Sequence, residues 1–336
     1  MTRPRPSFVT SSGPSPVRGF IAAISHLPFV ERAETPPCSG RDAVTQLLPR
    51  PLSHRRRSGG ADCCIVNARS ALFDVYGDHL RARDGVAPVA SLVAMMAPLG
   101  ISAPAVRTAI SRMVRQGWLT RVKLEEGAGY GLSARAERRL ADAASRIYRT
   151  RPSGWDGRWH LVVVERIPER AARERLRSAL AFLGYAPLRD DTWISPRASG
   201  ELDALLETED VRGRRFFAVH DGTDSELTTS AWDVHGLGRS YARWLDDATS
   251  VVAKAGDEPA DRDAFVVRSQ LVHEWRKFLF RDPGLPRQLL PPDWTGEAAA
   301  RYFDEQASRL LPAAGRYVDA CLADPTSCSR GNGEPT

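Results

Sequence analysis

The hydrophobic and polar positions of this chain first take on a helical period at Ala68. The apolar face of the helix predicted there comprises Leu72, Val75, Tyr76 and Leu80. Gly85 and Pro88 interrupt the period, and a second apolar face then predicts a helix from Val89 to Ala97. The pattern therefore indicates two helices that share one core.

A third helix is predicted from Ala103 to Gln116. Pro98 and Gly100 predict a turn before it, Ser102 can cap it, and Pro104 fits its first turn, where a missing N–H costs nothing. Its apolar face comprises Val106, Ile110 and Met113. Its opposite face and flank carry the candidate DNA-reading residues Pro104, Arg107, Thr108, Ser111, Arg112 and Arg115. A helix divided in this way can pack and read DNA at once.

A β-hairpin is predicted directly after this helix. Gly117 ends the helical period, residues 118–124 alternate as a strand, residues 125–129 supply a glycine turn, and residues 130–132 return. The order of helix, helix, turn, basic helix and basic hairpin is typical of a winged helix-turn-helix, which we predict between Ala68 and Leu132. Arg121 and Lys123 on the hairpin would neutralise phosphates beside the major groove.

Downstream patterns predict two further domains. A linking helix from Ser133 to Tyr148 leads to a boundary near Gly154, after which strands and helices alternate as β-α-β-α-β, the order of a small ferredoxin-like sheet. From Ser230 the period is helical, with helices predicted over residues 241–253, 263–280 and 298–321. The predicted fold class is α+β. The predicted division is 1–65, an extension; 66–150, the winged helix-turn-helix with its linking helix; 151–225, the ferredoxin-like domain; 226–325, a helical effector and dimerisation domain; and 326–336, a disordered tail.

Charge divides the chain in the same way. Residues 1–60 carry a net charge of +6, residues 68–150 again +6, and residues 151–336 carry −5. Basic surface is thus confined to the N-terminal half, which favours a polyanion as its partner.

Residues 1–60 contain nine of the 24 prolines and no sustained period, so we predict that they are disordered. Two alternatives remain open for this extension. It could be a basic tail that adds non-specific DNA affinity through His54–Arg57, or the natural product could start at Val66 and lack it.

Other protein classes have little support. The chain has no run of 18 apolar residues, so we predict no membrane span, and the N-terminus lacks the order of a secretory signal. Its five cysteines form no CxxC pair and no zinc spacing, which indicates neither a metal site nor structural disulfides and fits a cytoplasmic protein.

Several passages of the sequence resemble the PaaX family of transcriptional repressors, known for controlling phenylacetic acid catabolism. They are FDVYGD at 73–78, APLGIS at 97–102, AVRTAISRMVRQGWL at 105–119, WDGRW at 155–159, LVHEWR at 271–276, RDPGLP at 281–286 and LLPPDWTG at 289–296. The resemblance covers about Arg69 to Ala323.

The resemblance implies a homodimeric repressor of a catabolic operon that binds a double-stranded operator and is released by an aryl-CoA thioester such as phenylacetyl-CoA. It implies no catalytic residue and no cofactor. The DNA-reading role transfers onto Arg107, Thr108, Ser111, Arg112 and Arg115, whereas no short motif transfers the effector site.

Candidates for that effector site lie in the C-terminal region. Arg268, Arg276 and Arg281 could meet a CoA phosphate, with His273 and Trp275 beside them. The aromatic residues that could line an acyl pocket, or that could simply form the core, are Trp232, Tyr241, Trp244, Phe265, Trp275, Phe278, Phe280, Tyr302 and Phe303.

An alternative function is that of a metal-dependent nuclease, since the central domain resembles the fold of small CRISPR-associated endoribonucleases. Such chemistry needs carboxylates around a metal ion at the end of the first strand, where this sequence has Glu165 followed by Arg166. The passage at His273 begins like HExxH, but Lys277 replaces the second histidine, so a zinc-peptidase site is not predicted.

Overall fold

The computed structural model describes residues 67–124, 127–138, 140 and 154–329. The predicted extension at 1–65 therefore lies outside the described residues. The predicted linking helix is helical where it is described, over 134–138 and at 140. Residues 326–329, which the sequence assigned to the tail, lie in a short helix whose start is capped by Asp324.

The N-terminal unit combines three helices with a three-stranded antiparallel sheet. Its elements are α1 (Ala68–Asp78), β1 (Val86–Pro88), α2 (Val89–Met96), α3 (Ala103–Arg115), β2 (Leu119–Leu124) and β3 (Gly127–Leu132), and the sheet order is β1-β3-β2. Helices α2 and α3 each end one residue before the predicted bound, whereas α1 ends at Asp78 and Leu80 of its predicted apolar face lies in a 3₁₀ turn. Strand β1 was not predicted, because three residues with Pro88 at their end carry no readable period.

The central unit has the order β-α-β-β-α-β. Its elements are β4 (Trp159–Val164), α4 (Arg170–Phe182), β5 (Ala186–Arg189), β6 (Thr192–Ser195), α5 (Leu202–Thr208) and β7 (Gly213–Ala218). The antiparallel strands lie in the order β5-β6-β4-β7, which is the ferredoxin-like arrangement. The sequence pattern missed β5, because this four-residue strand contains Pro187 and a register shift.

The C-terminal unit is helical. Its helices are α6 (Asp224–Ala231), α7 (Val234–Ala255), α8 (Asp261–Trp275), α9 (Thr295–Ala323) and α10 (Pro325–Ser329). The single helix predicted over 263–280 ends at Trp275 and continues as a 3₁₀ turn over Arg276–Phe280. Across the described residues, every helix is too short or too polar for a membrane span.

The central unit is fixed to the C-terminal unit through the loop after α8. Gly184 has a φ of +89°, and a Cβ there would lie 2.9 Å from the carbonyl oxygen of Pro283. A second contact joins the two units: Trp159 of the sheet stacks on Trp232 with ring centroids 6.1 Å apart, and Leu289 is buried beside them. The RDPGLP and LLPPDWTG passages therefore include residues of a contact between domains.

The N-terminal unit shares one hydrophobic core with α8 and α9. Buried residues of α1, α2 and α3 form a continuous cluster with Phe265 of α8 and with Ala314, Tyr317, Val318 and Cys321 of α9. The Tyr317 hydroxyl also donates a hydrogen bond of 3.3 Å to the carbonyl oxygen of Ala94 in α2. The first and last thirds of the described chain thus form one body.

Charged side chains are buried within that contact. Arg268 of α8 donates two 2.7 Å hydrogen bonds to Asp78 of α1, and the two side chains are only 4% and 6% exposed. One turn earlier on α1, Asp74 lies 2.8 Å from Nδ1 of His273 and 2.7 Å from Nε of Arg276. We call these five residues the interdomain ion cluster. Removing one partner of a buried bidentate guanidinium–carboxylate pair costs far more than removing one partner of an exposed ion pair, because the other charge is left buried.

We expect Asp78→Ala to lower the free energy of unfolding by about 3–5 kcal/mol, because Arg268 would be left buried without its carboxylate. Asp319→Ala is the matched control: its carboxylate pairs with Arg83 of the N-terminal unit but is 60% exposed, so a loss below about 1 kcal/mol is expected. Urea unfolding followed by circular dichroism measures both. Equal losses for the two variants would contradict the importance of burial.

The same region predicts a pH dependence. Burial lowers the pKa of His79 to about 4. The nearby carboxylates of Asp78 and Asp319 raise this pKa, and the positive charges of Arg268 and Arg83 lower it. The unfolded chain binds a proton at this imidazole below about pH 6.5 and the folded chain does not until about pH 4, so stability is lost as the pH falls through that window.

We expect this loss to reach about 3 kcal/mol at pH 4, since each unit of pKa shift corresponds to about 1.4 kcal/mol. His79→Gln should flatten the stability curve between pH 6.5 and 4 in urea unfolding experiments. An unchanged slope in this variant would assign the acid sensitivity to other groups.

Candidate nucleic-acid interface

The residues predicted to read DNA lie together on the outer surface of the N-terminal unit. Every one of them is exposed: Pro104, Arg107, Thr108, Ser111, Arg112 and Arg115 on α3, and Arg121 and Lys123 on β2. None is drawn into the core. The structure therefore brings the predicted helix and hairpin residues onto solvent-facing positions of adjacent elements.

Helix α3 can present this surface because its other side is fully packed. Its buried residues are Val106, Ala109, Ile110 and Met113. Gly100 before the helix and Gly117 after it both adopt left-handed conformations, with φ of +77° and +69°, so the chain turns sharply at each end. The Thr108 hydroxyl donates a 2.8 Å hydrogen bond to the carbonyl oxygen of Pro104, and the side chain remains exposed.

The hairpin is tied to the helices at its base. The Tyr76 hydroxyl of α1 donates a 2.7 Å hydrogen bond to the carbonyl oxygen of Tyr130 in β3, and burial raises the pKa of this phenol, so it remains a donor. Trp118 is buried at the start of β2, with Phe73 edge-on at 5.4 Å and the Arg135 guanidinium 4.6 Å from its ring centroid. The base of the hairpin is therefore fixed to α1.

The described charged residues of α3 and β2 are all basic. Neither α3 nor β2 contains an acidic residue. Within the described part of the chain, no carboxylate lies in ion-pair distance of Arg107, Arg112, Arg115, Arg121 or Lys123. Unneutralised arginines on a protruding helix suit phosphates and base edges.

The five effector candidates do not lie at one place. Arg268, His273 and Arg276 belong to the interdomain ion cluster, where they contact Asp78 and Asp74. Trp275 is 5% exposed and stacks on Phe303 at 4.7 Å in the core of the C-terminal unit, whereas Arg281 is exposed in the loop after α8. The structure thus brings three of them together, against α1.

Sequence reasoning did not identify the two carboxylates of this cluster. Asp74 and Asp78 are four residues apart and so share one face of α1. This helix must pack against the rest of the protein, so two acids on one of its faces indicate that buried counter-ions are possible. The spacing could not name their partners, which lie about 190 residues further along the chain.

The aromatic candidates occupy three different environments. Tyr241, Trp244, Trp275, Phe278 and Phe303 pack against one another in the C-terminal core, and the Tyr241 and Phe278 rings stack 3.9 Å apart. Phe265 belongs to the core shared with α1, and Trp232 packs on the central sheet. Tyr302 is half-buried at the edge of the C-terminal core, and the Phe280 side chain lies outside the described residues.

The carboxylate on which the nuclease alternative depends is poorly placed for a cation. Glu165 is 64% exposed and lies 3.5 Å from Arg212 in an ion pair. It borders an open cleft of about 870 Å³ whose charged lining also includes Asp203, Glu207, Asp210, Arg214 and Arg215. Among the described residues, no three metal-ligating side chains converge here or elsewhere. The arginine beside Glu165 disfavours a divalent cation at this position.

Family models match this chain in three consecutive ranges. The PaaX-like protein model matches residues 67–136, the PaaX protein central Cas2-like domain matches 152–229, and the PaaX-like protein C-terminal domain matches 232–320. The three ranges follow one another in the order of a single architecture and span most of the chain. The chain belongs to the PaaX family. The family resemblance inferred from the motifs is thereby confirmed.

Two relatives of this PaaX family member extend the comparison. The transcriptional repressor PaaX of Escherichia coli (strain K12) is 27% identical over 264 residues, which cover 75% of this chain and 83% of that protein. An uncharacterized protein from Mycobacterium tuberculosis, of solved structure, is 28% identical with a TM-score of 0.55, and the match covers 76% of this chain and 98% of that one.

Proposed function

We propose that this PaaX family protein is a DNA-binding transcriptional repressor of a catabolic operon. The observation that carries the proposal is the exposed, unneutralised basic surface of α3 and β2, backed by a helix face that is fully packed. The similarity to a transcriptional repressor of E. coli supports it. Such a protein acts on chromosomal DNA, needs no catalytic residue or cofactor, and works in the cytoplasm.

The proposed reading head is a winged helix-turn-helix. In it, α2 and α3 form the helix pair, α3 enters the major groove, and the β2–β3 hairpin is the wing that contacts phosphates. The repressor would bind as a homodimer to an inverted repeat, with one α3 per half-site about one helical turn apart. Arg107, Arg112 and Arg115 would contact base edges, while Arg121 and Lys123 would fix the register.

Affinity measurements on matched DNAs test this assignment. We expect Arg112→Ala to weaken binding to the operator by about 10-fold or more while affecting random duplex DNA less, because each good base contact contributes about 1–3 kcal/mol. Lys123→Ala should weaken both by similar factors and reduce the slope of log K against log salt by about 1.

The matched control is Arg301→Ala, since Arg301 is an exposed arginine of α9 outside the proposed interface. It should leave both affinities unchanged. The operator itself can be obtained by genome-wide mapping of bound DNA. Equal losses on operator and random DNA for Arg112→Ala would contradict a base-reading role for this side chain.

We further propose that an aryl-CoA thioester, with phenylacetyl-CoA as the first candidate, releases the repressor from DNA. The interdomain ion cluster offers a route: His273 and Arg276 are held by Asp74 of the reading head, so an anionic ligand that captured them would compete with that carboxylate. Such a ligand must bind the DNA-free state more tightly than the DNA-bound state.

Thermal-shift titration tests the effector class. We expect phenylacetyl-CoA at about a hundredfold excess over its Kd to raise Tm by several degrees, whereas free CoA and acetyl-CoA should raise it less. Arg276→Ala should shrink the shift. A panel of aryl-CoA thioesters without any shift would overturn the effector proposal and leave the DNA-binding proposal standing.

A further inference from the structure

Two free cysteines lie side by side near the C-terminal end of the described chain. Cys321 belongs to the last turn of α9 and is fully buried, whereas Cys328 belongs to α10 and is half-buried. Both pack in the hydrophobic core that α9 shares with the N-terminal unit. The Cys321 thiol interacts directly with the Cys328 thiol and with the Tyr317 hydroxyl. The fold therefore brings two sulfurs together at one point of this core.

A break between α9 and α10 allows the two sulfurs to meet. On an unbroken helix, residues seven positions apart would be separated by about 10.5 Å along the axis. Here α9 ends at Ala323, and Asp324 is extended, as a residue before a proline tends to be. The Asp324 carboxylate then accepts hydrogen bonds of 2.9 Å from the N–H of Thr326 and 2.6 Å from its hydroxyl. These bonds fix the start of α10.

The cysteine pair lies against the proposed reading head. Helix α10 packs on α2, the first helix of the proposed helix pair. Tyr317, one turn before Cys321, donates its hydrogen bond to the carbonyl oxygen of Ala94 in the same helix. A covalent bond between the two sulfurs would therefore fasten the last turn of the described chain at the place where α9, α10 and α2 meet.

The two thiols differ in the chemistry that they can begin. Burial raises the pKa of the Cys321 thiol, so this sulfur stays protonated at neutral pH and is a poor nucleophile. Cys328 is partly exposed and meets a dissolved oxidant first. Among the described residues, no group of three metal-ligating side chains includes this pair, which disfavours a structural zinc site. Oxidation of the two sulfurs is the chemistry that remains.

We propose that Cys321 and Cys328 are a redox-active pair that closes to an intramolecular disulfide when hydrogen peroxide is present. The Cys328 thiolate attacks one peroxide oxygen, which forms a sulfenic acid and releases hydroxide. The sulfur of Cys321 then attacks the sulfenic sulfur, so that the S–S bond forms, the thiol proton is lost and water leaves. Overall, two thiols lose two electrons and two protons, and one peroxide becomes two waters.

The disulfide acts as a reversible clamp on the end of the chain. It keeps α10 from separating from α9, and it removes conformational freedom from the unfolded chain. It also protects Cys328 from irreversible oxidation to a sulfinic or sulfonic acid. Thiol reductants restore the two thiols, so the pair is open where glutathione and thioredoxin operate and closes under oxidation.

Peptide mass spectrometry of the full chain tests the pair. Trypsin releases both cysteines in one peptide, residues 317–330, because Arg316 and Arg330 bracket them. After treatment with hydrogen peroxide and then iodoacetamide, the main form of this peptide should carry no carbamidomethyl group and be lighter by two hydrogen atoms. Dithiothreitol should reverse the change. A peptide that remains doubly alkylated, carries a sulfonic acid at Cys328, or is linked to another peptide would overturn the proposal.

Thermal unfolding measures the clamp itself. Peroxide should raise the Tm of wild type by a few degrees and leave the Tm of Cys328→Ser unchanged, because this variant lacks one sulfur of the bond. Cys63→Ser is the matched control: it removes a cysteine outside the described residues and should keep the full shift. Circular dichroism checks that both variants fold.

Two outcomes of this second experiment would overturn the clamp. One is a wild-type Tm that does not rise with peroxide. The other is an equal rise in Cys328→Ser, which would assign the effect to other groups. Neither experiment involves DNA or a CoA thioester, so the failure of this inference would leave the proposed function standing.

Discussion

The bidentate pair between Asp78 and Arg268 is the constraint on which the arrangement of this protein depends. Two charges can be taken out of water only if each satisfies the other, and here a carboxylate of the first helix is satisfied by a guanidinium from the C-terminal unit. Separation of the N-terminal unit from the C-terminal unit would expose both charges or leave one of them without its partner. Together with the shared apolar core, the pair makes the basic surface of α3 and the helices α8 and α9 parts of one body.

This arrangement bears on how a signal could reach the proposed reading head. A change at His273 or Arg276 would act on α1 directly, through Asp74. Helix α1 in turn holds the hairpin through the hydrogen bond from Tyr76 to Tyr130. A continuous set of packed and hydrogen-bonded contacts therefore joins the C-terminal unit to the hairpin, and energetic coupling between two sites can travel through such contacts.

Local patterns were sufficient for elements whose period is long and regular. The bounds of α3 followed from Gly100, Pro104 and Gly117, and the outward positions of its arginines followed from the inward positions of Val106, Ile110 and Met113. Short or irregular elements were lost: β1 and β5 have three and four residues, each with a proline. The ion cluster was beyond reach for a different reason. The paired residues are distant in sequence, and the sequence around a single charged residue does not indicate whether its side chain faces water or a buried counter-ion.

The order of the domains along the chain differs from their order in space. The first unit completes its core with helices from the end of the chain, and the central unit, from about Trp159 to Ala218, lies between them in sequence as an insertion. A ribosome must therefore release α9 before α1 and α2 can complete the burial of their apolar faces. Polypeptides that terminate early would carry the basic helix, but α1 and α2, which support it, would lack part of their core. Stable presentation of that helix is thus reserved for chains that have been synthesised through α9.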